Sequence, residues 1–321
     1  MKILTNLAFT QSRVWSEAVE SICRAGESPD EMGAVRQAWR LWRRRKGADA
    51  VVTMGARASL AYGLLCAVTG TASRQVMMEY FLDIPRPWSW RWRFKHALYR
   101  IVARRALGIL VNSKGEIAST EARFGLEKGK VLFVPMYSTI EPPECIESNE
   151  GIVVSIGRTM RDNETLLAAA RRFRAPLVLV VGKDDKLPET LPPNVELRRE
   201  IPLEEAQGLM RKAAVVIIPL LPAERSTGQV VVLEAMALGK PVVATELAGT
   251  VDLIDSGVDG VLVPAGDVEE LAKAVNGLLE NPEEARAVGR VAYRRILATG
   301  SADHRGRAML DAVAALCLQA W

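Results

Sequence analysis

The sequence has few of the residues that build metal sites and disulfide frameworks. It contains four cysteines and two histidines in 321 residues. The cysteines, none in CxxC or CxxH spacing, are Cys23, Cys66, Cys145 and Cys317. Because such spacings mark zinc sites, and dense cysteine patterns mark disulfide-stapled domains, we expect neither here. The composition is typical of a protein from a reducing cytosol.

Long hydrophobic runs are also missing. Nowhere do about 18 uncharged apolar residues follow one another, which is the length that a membrane-spanning helix needs. The start, MKILTNLAFTQSRVW, lacks the basic segment and sustained apolar run of a secretion signal. We therefore expect a cytoplasmic protein that does not cross a membrane, with a peripheral position on the inner membrane face as a further expectation.

Charge is unevenly distributed along the chain. Residues 1–140 hold 22 Lys and Arg against 11 Asp and Glu, whereas the whole chain has a net charge of only +4. The first half is therefore strongly basic and the second half is acidic. A basic half favours an anionic partner, either a surface or an acceptor molecule.

Short apolar, β-branched runs alternate with helical patterns in the second half of the chain. Strands are predicted at 151–157, 175–182, 213–220, 240–245 and 259–264. Helices are predicted between them, at 163–173, 203–211, 229–238 and 268–279. This order predicts an α/β fold with a parallel, doubly wound sheet that binds ligands at the carboxyl ends of its strands.

The first half has the same character but is less regular. Its predicted strands are 1–4, 49–55, 74–80, 108–113 and 130–135. A chain of this length suits two domains of about 150 residues, each with its own core. The polar, proline-containing stretch 138–150 is the best linker, so we predict domains at 1–140 and 141–321.

The stretch 226–245, STGQVVVLEAMALGKPVVAT, predicts an anion site at the start of a helix. The first N–H groups of a helix have no intrahelical partner and lie at the positive end of its dipole. Glu234 follows about a turn and a half further in, where a carboxylate can accept hydrogen bonds from ribose hydroxyls. The pattern indicates a nucleoside diphosphate site. The small or polar residues that open it are Ser226, Thr227, Gly228 and Gln229.

This stretch resembles the retaining glycosyltransferases of the GT-B fold, in the large family 4. LEAMALGKPVVAT, 233–245, matches the family's EAMA and G-x-PVVA elements, and Glu234 takes the place of the second of two glutamates eight positions apart. Ser226 stands at the first place, and Glu224 is a candidate substitute. The resemblance implies two Rossmann-like doubly wound domains facing a cleft, with the acceptor on the first, the donor on the second, and the final helix, 302–319, crossing back to the first.

A second set of candidate residues lies in the stretch 155–170, SIGRTMRDNETLLAAA. In the resembled family an arginine and a lysine follow this strand, and Arg158 and Arg161 take their places, directly after Gly157. Their charges would stabilise the negative charge that grows on a leaving diphosphate. With no Asp-x-Asp pair nearby, we expect neither metal nor other cofactor. Asp162 suits a helix N-cap. The alternative is that both arginines are solvated residues at a helix start.

Two loops of the second half, GKDD at 182–185 and RREIPLEE at 198–205, follow strands of the same sheet. The resemblance puts the nucleotide base there, near the backbone of Lys183 and Ile201. Loops of this composition are common, and simple surface turns are the alternative.

Glu79 is the candidate catalytic residue of the first half. It ends a predicted strand where many members of the family have a histidine near the donor sugar. A carboxylate here could orient a sugar hydroxyl or take a proton from the acceptor. A buried or salt-bridged strand-end glutamate is the alternative. Neither His96 nor His304 fills a histidine role, and both are expected to be exposed.

Tryptophan and arginine occur together at 38–46 and 88–105. In the second segment Phe94, Leu98, Ile101 and Val102 share one helical face, while basic residues occupy the rest. This composition is typical of a helix at an anionic lipid interface. A core-facing amphipathic helix with a solvated basic side is the alternative. Nucleic acid is not expected as a partner, because no known binding motif accompanies these residues.

Together these features and the family resemblance imply a glycosyltransferase that uses a nucleotide-sugar donor and retains the anomeric configuration. Its expected acceptor is a saccharide, lipid-linked or at a membrane surface. A GT-B sugar-nucleotide epimerase and a catalytically silent, membrane-associated nucleotide-sugar-binding protein are the alternatives.

Overall fold

A computed structural model describes residues 1–23, 31–79, 88–223 and 225–319. The chain divides into two compact units, Met1–Pro135 with Ala302–Trp321 and Met136–Ser301. The chain thus passes from the first unit to the second after Pro135, five residues before the boundary after residue 140 that the sequence predicted. Glu224, the candidate substitute for a family glutamate, lies outside the described residues.

A six-stranded parallel sheet forms the centre of the first unit. Its strands are β1 (Ile3–Thr5), β2 (Val19–Ser21), β3 (Ala50–Met54), β4 (Gln75–Met78), β5 (Gly108–Val111) and β6 (Val131–Phe133). They lie in the order β2-β1-β3-β4-β5-β6. The helices are α1 (Arg13–Ala18), α2 (Ala34–Arg44), α3 (Ala56–Val68), α4 (Trp90–Arg105), α5 (Glu116–Phe124) and, from the end of the chain, α12 (Ala302–Leu318).

The last helix belongs to the first unit, where it packs against α1. Ser12 caps α1 by accepting a hydrogen bond from the Trp15 N–H (3.1 Å), and its hydroxyl donates to Asp303 of α12 (2.9 Å). The two helices meet at Gly306, where a Cβ atom would lie 2.1 Å from the Ser12 Oγ. A residue without a side chain is therefore needed at this crossing.

The second unit is also built on a six-stranded parallel sheet. Its strands are β7 (Ile152–Ile156), β8 (Leu177–Val181), β9 (Val195–Arg199), β10 (Ala213–Ile218), β11 (Val242–Thr245) and β12 (Val261–Val263). They lie in the order β12-β11-β10-β7-β8-β9. The helices are α6 (Asn163–Ala170), α7 (Leu203–Lys212), α8 (Gln229–Ala237), α9 (Ala248–Val251), α10 (Val268–Glu280) and α11 (Pro282–Thr299).

Both faces of the second sheet are covered. Val154, Val216 and Ile218 belong to one buried cluster, whereas the neighbouring residues Val153 and Ile217 belong to another. Successive strand residues point to opposite faces, so each face has its own apolar core. This explains the nearly continuous apolar runs of the sequence, and the predicted α/β class with parallel, doubly wound sheets is confirmed.

Two strands were missed. β2 is a short edge strand, and β9 overlaps the stretch 198–205 that was interpreted as a base-binding loop. In β9 the partly buried Leu197 alternates with exposed Glu196, and Arg199 is exposed as well. A charged edge strand resembles a loop in sequence, because only one of its faces is apolar.

Candidate functional site

Helix α8 begins where the sequence predicted it. Gly228, the residue before the helix, has φ of +78°, and a Cβ atom there would lie 2.8 Å from the Ile218 side chain. The loop therefore packs closely against the end of β10. At this φ and with this little space, only glycine fits without a large cost in free energy. Ser226 and Thr227 are half-buried, and Gln229 is buried with its amide donating to the Gly249 carbonyl (3.3 Å). The α8 dipole and its first N–H groups thus start at this loop.

Glu234 lies inside α8 and is only 4% exposed. Its Oε1 atom accepts hydrogen bonds from the Thr139 hydroxyl and from the Gln207 amide, the latter at 3.3 Å. Within the described part of the chain, no donor contacts its other oxygen. The carboxylate is therefore held by two neutral donors from one side. Thr139 and Gln207 were missed by the sequence analysis, because nothing in their local pattern points to a residue 95 or 27 positions away.

The β7–α6 loop holds Arg161 against the backbone. Its guanidinium donates to the Ile156 carbonyl (3.1 and 3.3 Å) and to the Thr159 carbonyl (3.1 Å). It lies across Gly157, where a Cβ atom would come 2.1 Å from Arg161 Nε. Burial lowers the pKa of Arg161 to about 10, so the group stays cationic at neutral pH. A fixed positive charge results at the carboxyl end of β7.

Arg158 is exposed and forms an ion pair with Glu200 (3.5 Å). Glu200, with φ of +50°, also accepts a hydrogen bond from the Lys183 backbone N–H (2.9 Å). Exposed ion pairs contribute only roughly 0–1 kcal/mol to the stability of a fold. An arriving anion can therefore replace Glu200 as the partner of Arg158. The alternative of two solvated arginines describes Arg158 but not Arg161, which is bound to the backbone.

The loops after β7 and β10 are joined by hydrogen bonds. The Asp162 N–H donates to the Pro219 carbonyl (3.1 Å), and the Leu221 N–H donates to the Met160 carbonyl (2.9 Å). Asp162 also caps α6, as expected, by accepting from the Thr165 N–H (3.0 Å). Because the chain order reverses between β7 and β10, their carboxyl ends form the crevice where such sheets bind ligands.

The predicted residues of the second unit thus divide into two groups. Gly157 and Arg161 lie on the loop that is bonded to the end of β10, the strand that leads to 226–229 and Glu234. Arg158 and Lys183 meet at Glu200, at the ends of β8 and β9. Ile201 is next along the chain, but its side chain packs against the apolar core.

Glu79 directly follows β4 in the first unit and has φ of +47°. Arg305 of α12 lies 3.8 Å from its carboxylate. Burial raises the pKa of Glu79, and the charge of Arg305 opposes that rise. His304 is exposed, as expected, but the expectation for His96 was wrong. That ring is half-buried and stacks between Trp92 and Phe124.

Helix α4 is amphipathic, but its buried face differs from the predicted one. Tyr99, Val102 and Ala103 are buried, whereas Phe94 is 61% and Ile101 49% exposed. Of the four residues predicted to form the apolar face, only Val102 is fully buried. The rest of that face is partly or largely exposed to solvent. Trp88 and Trp90 are also exposed, at 81% and 72%. Apolar side chains consequently stand in solvent beside the arginines of α4.

None of the helices in the described ranges combines the length and apolarity that a bilayer crossing requires. In the same parts of the chain, no three His, Cys, Asp or Glu side chains are placed to hold a metal ion together.

The second unit contains the part of the chain that matches a known protein family. The family model for Glycosyl transferases group 1 matches residues 150–281. Alpha-maltose-1-phosphate synthase of Mycolicibacterium smegmatis is 30% identical over 190 residues, which cover 52% of this chain and 48% of that protein. D-inositol 3-phosphate glycosyltransferase of Saccharomonospora viridis is 30% identical over 112 residues, or 35% of this chain and 24% of that protein. The matches span about half or less of these relatives.

Solved structures match a larger share of the chain. Sucrose-phosphate synthase of Thermosynechococcus elongatus has a TM-score of 0.70 and 20% identity, covering 88% of this chain and 77% of its own. Anabaena HepE in complex with UDP has a TM-score of 0.68 and 16% identity, covering 98% and 100%. At such identities the likeness concerns the fold. Residues 150–281 therefore resemble the glycosyl transferases group 1 family, and the two Rossmann-like units of the chain have the GT-B fold of these solved structures.

Proposed function

We propose that this protein is a glycosyltransferase that moves a sugar from a nucleotide-sugar donor to an acceptor, with retention of the anomeric configuration. The observation that carries the proposal is the buried Glu234 carboxylate, held from one side by Thr139 and Gln207 inside the helix that opens at 226–229. The solved structures of Anabaena HepE with UDP and with UDP-glucose support a nucleotide-sugar donor for this fold.

In the proposed mechanism, each part of the donor meets a group of matching chemistry. The diphosphate lies at the N-terminus of α8 and near Arg161, and the ribose hydroxyls donate to Glu234. When the bond between sugar and diphosphate breaks, negative charge grows on the leaving group. Arg161 and the helix dipole are fixed before that moment, so they stabilise the charge with little rearrangement. Arg158 joins them after exchanging Glu200 for a phosphate oxygen.

A screen of nucleotide sugars by thermal unfolding tests this proposal. At a ligand concentration of 100 times Kd, binding stabilises the folded state by about 2.7 kcal/mol, which corresponds to roughly 5–10 °C in a domain of this size. We expect UDP-, GDP- or ADP-sugars to give such a shift. If none of them raises the unfolding temperature, the donor assignment is wrong. Binding without release of nucleoside diphosphate would favour the silent binding protein, and conversion of the donor into an epimer would favour the epimerase.

Turnover is expected to be independent of divalent cations. Arg158 and Arg161 supply the positive charge that Mg²⁺ or Mn²⁺ brings to other diphosphate-leaving reactions. The measurement compares rates of diphosphate release before and after treatment with EDTA, at constant ionic strength. Unchanged rates are the expected result. Loss of activity in EDTA with recovery on adding Mg²⁺ or Mn²⁺ would contradict the proposal.

We further propose that the acceptor is lipid-linked or lies at an anionic membrane surface. The support comes from the exposed side of α4, where Trp90, Phe94 and Ile101 are spaced along one stripe of the helix. Arg91, Arg93 and Arg100 are exposed on the same helix. Apolar residues that insert between headgroups, flanked by cations that attract anionic lipids, are the two components of interfacial binding.

Vesicle sedimentation should show binding that requires anionic lipid and weakens with salt. Each basic residue near the surface contributes about 1 kcal/mol, and this attraction is screened over about 8 Å at physiological ionic strength. Phe94→Ala should reduce binding by about tenfold or more, since burying a phenylalanine contributes about 1.5–3 kcal/mol. Val68→Ala, at a valine that is 86% exposed on α3, is the matched control and should bind normally. Equal pelleting with neutral and anionic vesicles, or none with either, would refute the proposal that this side of α4 binds anionic lipid.

A further inference from the structure

The second unit contains a cavity of about 120 Å³ at the amino edge of its sheet. Gly151, Ala213 and Pro241, at the starts of β7, β10 and β11, line it from the sheet, and Leu278 and Ala285 line it from α10 and α11. One water needs about 10–15 Å³, so the space suits a molecule of several non-hydrogen atoms. Doubly wound sheets bind their main ligand at the opposite, carboxyl edge, so this cavity is separate from the proposed donor site.

Lys240 brings a buried positive charge to this cavity. It lines the cavity and is only 2% exposed. Its ammonium donates to the Ser148 carbonyl (2.7 Å), which is a neutral acceptor. Among the residues that the structure describes, no carboxylate forms an ion pair with this ammonium. Since an ammonium has three N–H groups, two remain that a ligand could use.

The end of helix α8 offsets this charge only in part. Lys240 lies just after the carboxyl end of α8, where a helix dipole carries about half a negative charge. The carbonyls of that end already accept hydrogen bonds, from the Glu144 N–H to Ala237 (2.9 Å) and from the Ile146 N–H to Leu238 (3.0 Å). About half of the ammonium charge or more is therefore left without a matching negative charge.

The other charged residues near the cavity are on its solvent side. Arg286 pairs with Glu283, and Arg290 pairs with Glu147 (3.1 Å), all four side chains being at least 33% exposed. Such surface pairs change partners at little cost. The first turn of α11 also reaches the cavity, through Pro282, and brings the positive end of its dipole. The surroundings of the cavity therefore favour an anion.

We propose that this cavity binds a small carboxylate with a short aliphatic body. In the bound state the carboxylate accepts hydrogen bonds from the Lys240 ammonium, and the aliphatic body packs on Ile146, Leu278 and Ala285. Inorganic phosphate matches the site less well, because it carries more charge and needs more donors than one buried ammonium offers beside apolar walls. No step of glycosyl transfer is involved, so this proposal and the proposed function fail separately.

The ionisation of Lys240 makes the binding depend on pH. Burial lowers the pKa of Lys240 to about 8, while Cys145 acts in the opposite direction. Cys145 remains a neutral thiol in this range, since burial raises its own pKa. The other charged groups around the cavity are Glu147, Arg286 and Arg290. Carboxylate affinity should therefore be constant below the pKa of Lys240 and fall as the pH rises above it.

The test titrates the lysine side chains of the 321-residue chain by ¹³C NMR, with the Lys240 signal assigned by its loss in Lys240→Met. Sodium butyrate should raise the pKa of Lys240 by about one unit or more, in a saturable way and at constant ionic strength, because a nearby carboxylate favours the charged amine. Butanol, which has the same body without the charge, should leave it unchanged. No rise with butyrate, or an equal or larger rise with inorganic phosphate, would overturn the proposal.

Lys240→Met provides the second measurement, since it removes the charge and retains an unbranched side chain. Its affinity for butyrate, measured by ligand-observed NMR, should be lower by about tenfold or more. Lys273→Met, at a lysine that is 75% exposed on α10, is the matched control and should bind as the wild type does. Equal affinities in all three proteins would overturn the proposal.

The wild-type chain supplies a further readout in case Lys240→Met does not fold. Between neutral pH and about pH 9.5 its affinity for butyrate should fall by about tenfold or more, as Lys240 loses its proton. An affinity that stays constant over this range would show that the ammonium does not hold the carboxylate, and the proposal would be wrong.

Discussion

Replacing Glu234 with alanine is expected to weaken binding of the nucleoside diphosphate by about tenfold to a hundredfold. Hydrogen bonds to a charged acceptor contribute about 1.5–3 kcal/mol, which corresponds to that range in Kd. The loss should be near the upper end, because the carboxylate is only 4% exposed and water cannot easily replace it. Isothermal titration calorimetry with UDP, GDP and ADP measures the effect.

The matched control for this variant is Glu284→Ala, which removes an exposed glutamate from α11. It changes the net charge of the unit equally but leaves α8 untouched. Both variants should unfold in a single step at similar temperatures if Glu234 acts in binding alone. Unchanged affinity for all three nucleotides in Glu234→Ala would refute the ribose assignment.

Gly289→Ala is expected to destabilise the second unit strongly. Gly289 is buried in α11, where a Cβ atom would lie 2.0 Å from the Gly239 carbonyl oxygen. That oxygen belongs to the backbone between α8 and β11, so it cannot turn aside as a side chain would. Overpacking of this kind costs about 1–3 kcal/mol, or roughly 2–12 °C in unfolding temperature.

Gly277→Ala separates this contact from a general effect of alanine in helices. Gly277 lies in α10, and nothing comes within 4 Å of a Cβ atom placed there. Alanine is favoured over glycine in helices by about 0.5–1 kcal/mol, so this variant should be as stable as the wild type or more so. Differential scanning calorimetry compares the two. Equal unfolding temperatures would mean that α11 does not pack so closely on residues 239 and 240.

The sequence predicts the parallel sheets well because their strands are covered on both faces. Val153 and Val154 face different cores, so each buried strand appears as a continuous apolar run between glycines and prolines. β9 was missed for the opposite reason. It is an edge strand with charged residues on its exposed face, and its pairing with β8 depends on contacts that a local pattern does not contain.

At the candidate site, the sequence predicts the helix start at Gly228 and the N-cap at Asp162, because both depend on local backbone chemistry. The partners of Glu234 are different, since Thr139 and Gln207 reach it only through folding. Arg158 and Arg161 look equivalent in sequence, yet one is exposed and the other is bound to the backbone.

Helix α4 shows the limit of helical periodicity. The pattern places Phe94, Leu98, Ile101 and Val102 on one apolar arc, and that arc is wider than the face that α4 buries. Only the packing against neighbouring elements decides that Val102 is buried and that Phe94 and Ile101 remain in solvent. A sequence pattern can therefore identify an amphipathic helix without showing which part of its apolar face stays available to a partner.

The most direct test of the central claim is the release of nucleoside diphosphate from nucleotide sugars. The purified 321-residue chain is incubated with UDP-, GDP- and ADP-sugars, alone and with anionic vesicles carrying lipid-linked saccharide, and compared with Glu234→Ala. We predict release from one nucleotide class by the wild type and, at subsaturating donor, a rate lower by about tenfold or more in the variant, following the loss of affinity. Equal rates in both proteins, or binding of a nucleotide sugar with no release under any condition, would contradict the account.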